Sequence, residues 1–151
     1  MKRMMACLVV IGVCAAFLTG CGSGGQKVAY KDGTYTAKSS VFTNDDGTED
    51  GNGYGEVTLT IKDGKIAECT YQTFEENGSL KDEEYGKQNG EVANRDYYSK
   101  AQKAVAACDE YAKMLVANEG LEGLDAISGA TINYNEFVEA VDLALKEAAG
   151  N

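Results

Sequence analysis

The stretch Val57-Thr58-Leu59-Thr60-Ile61-Lys62-Asp63-Gly64-Lys65-Ile66 decides how this chain folds. Val57, Leu59 and Ile61 alternate with Glu56, Thr58, Thr60 and Lys62, the two-residue period of a strand with one buried face. Asp63-Gly64 is a preferred pair for a two-residue type I′ turn, so a return strand starts at Lys65. Ile66, Cys69 and Tyr71 are the apolar positions of that strand, and their phase slips by one between the first two. A bulge near Ala67-Glu68 returns all three to the core face. Working outward, residues 33–42, with Thr34, Tyr35, Thr36 and Val41, read as an earlier strand, and the polar, Gly-rich residues 75–94 read as loop. Tyr98, Ala101, Val105, Cys108, Ala112 and Leu115 recur at helical spacing and predict a helix over 95–118, capped by Asn94 and stopped before Gly120. Phe137, Val141, Ala144, Leu145 and Ala148 predict a second helix over 134–149. The order β-β-β-α-loop-α is that of an α+β fold: a small antiparallel sheet with two packed helices, in a single domain.

A length of 151 residues is one domain's worth. The charge is lopsided, 14 Lys+Arg against 24 Asp+Glu, and there is no His. Too few cations are present to displace counterions from nucleic acid, so no nucleic-acid partner is expected. The lack of His excludes Ser-His-Asp and Cys-His catalysis and His-containing zinc sites. Residues 44–53 carry Asp45, Asp46, Glu49 and Asp50 among glycines. As a calcium loop starting at Asp50, Asn52 and Gly55 fit, but the twelfth position is Ile61, where a bidentate Glu is needed. A solvated acidic turn is the better reading, and no metal site is expected. These features point to binding or carrying.

The N-terminus reads as an export address. Lys2 and Arg3 precede an apolar run of about 13 residues, Ala6 to Leu18, too short to span a bilayer. Leu18-Thr19-Gly20-Cys21 resembles the bacterial lipobox, which implies a signal peptide over 1–20 and diacylglycerol on Cys21; the alternative is an ordinary secretory signal. Multiple acyl chains satisfy the requirement for stable anchoring. The Gly- and Ser-containing residues 21–31 form a flexible tether, and residues 32–151 form the domain. Loss of Lys2 and Arg3 leaves 12 cations against 24 acids, taking the charge from −10 to −12. Cys69 falls on a strand and Cys108 on a helix face, so both read as small buried hydrophobes, with a disulfide as the alternative in an exported chain.

Leu124-Asp125-Ala126-Ile127-Ser128-Gly129-Ala130-Thr131 separates the two helices. Ser128, Gly129 and Thr131 are turn formers, and Gly129 permits positive φ. The turn leads to a helix N-terminus, whose unpaired N–H groups and dipole favour an anion beside the Thr131 hydroxyl. A plain turn and cap is the other reading on local physics.

Asp125-x-x-Ser128-Gly129-Ala130-Thr131 resembles the flavinylation motif of the FMN-binding domain family. That family carries flavin in subunits of the sodium-translocating NADH:quinone reductase, in related ferredoxin-linked membrane complexes and in cell-surface electron-transfer lipoproteins. Asp32-Gly33-Thr34-Tyr35, Gly53-Tyr54-Gly55-Glu56-Val57 and the 61–66 turn are similar to the family's opening hairpin. The resemblance implies FMN joined through a phosphoester to Thr131 by a flavin transferase. Asp125 and Ser128-Gly129-Ala130 would then serve transferase recognition and the phosphate environment. It further implies a redox partner protein or a membrane quinone-linked complex. The chain has no Pro, so it lacks the Pro-containing loop of many relatives, and residues 75–94 depart most from the pattern. Tyr54 and Tyr71 are candidates for a flavin shelf, with core packing as the plainer role. The resulting expectation is an electron carrier on the extracytoplasmic face, tethered to the cell membrane. A non-redox surface lipoprotein is the alternative, and a stand-alone reductase is weaker.

Overall fold

The computed structural model describes residues 29–43 and 52–150. The signal, the lipobox Cys21, most of the tether and the acidic positions Asp45 to Asp50 lie outside the described residues. Three strands, β1 (Gly33–Lys38), β2 (Tyr54–Lys62) and β3 (Lys65–Phe74), form an antiparallel sheet in the order β1-β2-β3. Two helices follow, α1 (Arg95–Asn118) and α2 (Thr131–Ala149).

Alternation does what the sequence predicts. Val57, Leu59 and Ile61 are at most 2% exposed, while Thr58 and Thr60 of the same strand are only half-buried on the other face. Asp63 and Gly64 take φ 53° and 72°, the left-handed pair of a type I′ turn. Asp32 locks this turn from outside the hairpin: its carboxylate accepts the Gly64 N–H at 3.0 Å. Those backbone donors hold the Asp32 carboxyl below its ordinary value. Register slips between Thr60 and Ile61, where Glu68 and Ile66 are successive partners, so Ala67 is the bulged residue. Ile66 and Tyr71 are consequently buried, and Cys69 packs partly buried against the core.

β1 is shorter than predicted, ending at Lys38. Beyond it the Ser39 side chain enters the ladder, its Oγ accepting the Gly55 N–H at 2.9 Å, and regular pairing stops. Gly55 is also a point of close approach, since a Cβ there would lie 2.7 Å from a Tyr71 ring carbon and 3.0 Å from Glu136 Cβ.

α1 lies across β3, and α2 across β2 and β1. Phe137 packs between Tyr71 (centroids 4.7 Å apart, tilted) and Tyr111 (5.6 Å, stacked), and all three are buried. α1 is capped as predicted, Asn94 Oδ1 accepting the Tyr97 N–H at 3.0 Å. Its left-handed C-terminal residue is Glu119 (φ 54°), one position before Gly120.

Cys69 and Cys108 are both free thiols. Burial pushes Cys69 up to about 12 and raises Cys108 as well, so neither is a ready thiolate.

Candidate functional site

α2 begins at Thr131, three residues before the predicted start, because Ala130 O accepts the first helical bond from Tyr134 N at 3.0 Å. Ala130 is thus the N-cap, and its methyl group supplies no side-chain bond. No acid stands in the first turn. The leading N–H groups of α2 therefore receive neither of the usual local partners, a side-chain cap or a first-turn carboxylate.

The motif loop in front of this helix is shaped from outside. Ala130 N donates to Ile127 O at 2.9 Å, closing a turn in which Gly129 takes φ +85°. That value suits the third position of a type II turn, which glycine occupies without strain. The Tyr111 hydroxyl, from α1, accepts the Ile127 N–H at 2.8 Å and donates to Ala130 O at 3.1 Å, clasping both ends of the turn. The Tyr134 hydroxyl donates to Leu124 O at 2.9 Å. Asp125, Ser128, Gly129 and Thr131 are exposed on this fixed loop, and Ala130 is buried.

Gly129, Ala130 and Thr131 border a cleft of about 360 Å³ between the start of α2, the first half of α1 and the segment after β3. Asp125 and Ser128 lie outside its lining. Ala101, Ala104 and Val105 give it an apolar wall, and Tyr85 and Tyr97 bring aromatic surface. Among the described residues its charged lining is Lys81 and Lys100, with no acid, in a chain whose net charge is −10. Such a cleft selects for a flat, partly apolar ligand bearing negative charge.

Lys81 is buried, at 6% exposure. Its N–H donates to Thr73 O at 2.9 Å, extending the β3 edge. Its ammonium donates to Asn52 O and, at 3.1 Å, to Asn52 Oδ1, and lies 5.2 Å from the Tyr85 ring centre. Burial raises the Tyr85 phenol, with a further contribution from its hydrogen bond to Tyr97. Gln102 Nε2 donates to Asp82 O at 3.0 Å and Tyr85 O at 2.9 Å, pinning residues 75–94 to α1 in the absence of any proline.

Neither aromatic proposed as a shelf lines the cleft. Tyr71 is core, its hydroxyl donating to Asn133 O at 2.7 Å, and Tyr54 stacks on Phe74 at 5.3 Å. Tyr85 and Tyr97 are the aromatic residues that line the cleft. Tyr97 was legible in principle: Tyr97, Lys100, Ala101 and Ala104 follow at i, i+3, i+4 and i+7, a second face beside the predicted stripe.

Compared with known families, the sequence matches the FMN-binding domain over residues 51–146, a span that includes every residue lining the cleft. The chain belongs to the FMN-binding domain family. FMN is accordingly its cofactor. A crystal structure of a Clostridium perfringens protein shares the fold, with 24% identity over 80% of this chain and 90% of that one and a TM-score of 0.57. A solution structure from Clostridium thermocellum has 27% identity over 78% of this chain and 92% of that one, with a TM-score of 0.40. No curated protein matches the chain.

The cleft of this FMN-binding domain suits its cofactor on geometry. About 360 Å³ is near the low end of ligand sites, roughly 300–1,000 Å³, enough for a planar ring system with the phosphate left outside. The start of α2 is an anion seat at its border.

Proposed function

We propose that this protein is a membrane-tethered, extracytoplasmic flavoprotein that carries FMN as a phosphoester on Thr131 and relays electrons to or from a partner. FMN supplies the redox chemistry when bound; the chain binds, orients and tunes it. The observation that carries the reading is the position of Thr131, exposed on the uncapped first turn of α2 and on the border of a cleft whose charged lining, among the described residues, is two lysines.

The residues divide the work. Thr131 offers the hydroxyl, and the leading N–H groups of α2 accept the negative charge beside it. Tyr85, Tyr97 and the alanines of α1 provide an apolar bed that keeps water from one side of a ring. Asp125 and Ser128, exposed beside the cleft, are the surface a flavin transferase reads. A covalent bond suits a protein whose acidic charge gives no long-range attraction to an anion and whose medium dilutes anything released. Lipidation of Cys21 would hold the domain at the membrane, within reach of a redox partner protein or a quinone-linked complex.

Co-expression with a flavin transferase followed by peptide mapping tests this. Wild type emerges yellow with one FMN on the peptide containing Thr131, and Thr131→Val folds but stays colourless. Flavin retained in Thr131→Val, or an unmodified wild type beside an active transferase, overturns the attachment and favours a non-redox surface lipoprotein. Cys21→Ala leaves the protein unprocessed or shed into the medium; normal membrane retention by fractionation overturns the tether.

A further inference from the structure

A phosphoester on Thr131 would fix the phosphate and leave the ring free to swing, so a second group has to hold the ring. We propose that Tyr97 is that group, its phenol face stacking on the flavin and deciding whether the ring is docked. This rests on the cleft being the flavin seat and deepens that reading.

Tyr97 opens the inward stripe of α1. Ala101, Cys108, Ala112 and Leu115 follow it at helical spacing, and all four are buried. Tyr97 does not share their burial: at 51% it is the most exposed of the large apolar side chains among the described residues. The stripe runs out from under the rest of the protein where the cleft opens, and Tyr97 lines that opening. An aromatic face on the core side of a helix, left to water at a ligand cleft, gains from being covered by a flat ring. Such a stack needs only a π face on the ligand. Tyr85, the other aromatic of the lining, is half-buried already, so Tyr97 has the larger face left to cover. Tyr97 is also braced, its phenol hydrogen-bonded to that of Tyr85, whose backbone carbonyl accepts Gln102 Nε2 of α1 at 2.9 Å. A side chain with two torsions loses little freedom on docking a ligand.

The contact has an optical signature. A phenol touching photoexcited flavin passes it one electron, which returns to the phenol as the excited state decays, so the stack is read as lost fluorescence with no net product. The chain contains no Trp, and Tyr85 and Tyr97 are the aromatic residues of the cleft lining, so substitution assigns the quenching to one or the other. Ring mobility is read separately, as fluorescence anisotropy.

The test compares flavin-loaded wild type, Tyr97→Ala, Tyr97→Phe, Tyr97→Trp and Tyr85→Phe by fluorescence yield and anisotropy at equal flavin absorbance, after circular dichroism has verified folding. Wild type should be quenched relative to free FMN and show high anisotropy. Tyr97→Ala, a substitution that a helix accepts, should keep its flavin and shift the balance from docked to swinging ring about tenfold. Yield then rises and anisotropy falls. Tyr97→Phe keeps a face to stack on but loses the electron donor, so yield rises while anisotropy holds. Tyr97→Trp keeps both properties and stays quenched. Tyr85→Phe should raise the yield less than Tyr97→Phe does. A Tyr97→Ala protein with the yield or the anisotropy of wild type overturns the proposal, and the exposed face then belongs to a partner protein. So does a larger rise in Tyr85→Phe than in Tyr97→Phe, or a wild type as bright as free FMN. Where mass spectrometry finds no phosphoester, the same series is titrated with free FMN, and Tyr97→Ala should weaken binding about tenfold. Loss of the covalent bond thus counts against the proposed attachment and leaves this inference to be decided by the fluorescence.

Discussion

The two helices of this domain begin in opposite ways. α1 starts on Asn94, whose side chain takes the Tyr97 N–H, and has Asp96 in its first turn. Both features quiet the positive end of the helix with groups only a residue or two away. α2 starts on an alanine, with no side-chain cap and no acid in its first turn. The geometry of that start comes from a distance instead: Tyr111 clasps the preceding turn, and Asn133 Nδ2 donates to Ala104 O at 2.9 Å. Where the chain needs only a helix, local rules are satisfied. Where the proposed attachment calls for a reactive hydroxyl beside an anion seat, they are left open and the remaining elements supply the rigidity.

The most damaging way to break this contrast is to remove what supports α2. Phe137→Ala should cost about 3–5 kcal/mol in urea unfolding, because the ring fills the space between Tyr71 and Tyr111. Tyr111→Phe keeps that packing and deletes only the clasp. About 1–3 kcal/mol should be lost, since the part-buried Ile127 N–H loses its partner while Ala130 O keeps only the bond from Tyr134 N. Flavin loading should fall with it, measured by absorbance per mole of protein. Sharper still is a matched pair at the two helix starts. Asn94→Ala should cost about 1 kcal/mol and leave flavin loading unchanged. Ala130→Ser should gain about 0.5–1 kcal/mol in the flavin-free protein and lower loading, because a hydroxyl would compete for the donors of the anion seat. Equal effects of both substitutions on loading would erase the distinction. The smallest effect lies in the hairpin. The Asp32 carboxyl is held below its ordinary value, so its contribution is present above that value and lost as pH falls through the lower, folded one. Asp32→Asn should therefore flatten the loss of stability from about pH 5 downward, seen as a shallower acid limb in unfolding midpoints.

How far the sequence could be read follows the same division. The hairpin was legible in its turn and register, because alternation, the Asp63-Gly64 turn and a bulge near Ala67-Glu68 are all local. The bounds of α1 were legible for the same reason, with Asn94 at one end. The start of α2 was read three residues late, since an alanine cap followed by Thr131 and the β-branched Ile132 gives no starting signal. The loop motif could be seen as a turn aimed at a helix. The cleft beside it could not, because Lys81 and Tyr85 sit in a segment with no periodicity, and only folding brings them to Thr131.

One contact far from the cleft has a bearing on how the whole domain is presented. Lys31, which leads into β1, donates its N–H to Ala148 O in the last turn of α2 at 2.9 Å. Thr131 opens that same helix, and a rise of 1.5 Å per residue puts the two positions about 26 Å apart. In the proposed tethered protein the chain from Cys21 arrives at one pole and the cofactor sits at the other. α2 then acts as a boom of fixed length, so lengthening the tether would widen the area the domain sweeps without changing which end it offers to a partner.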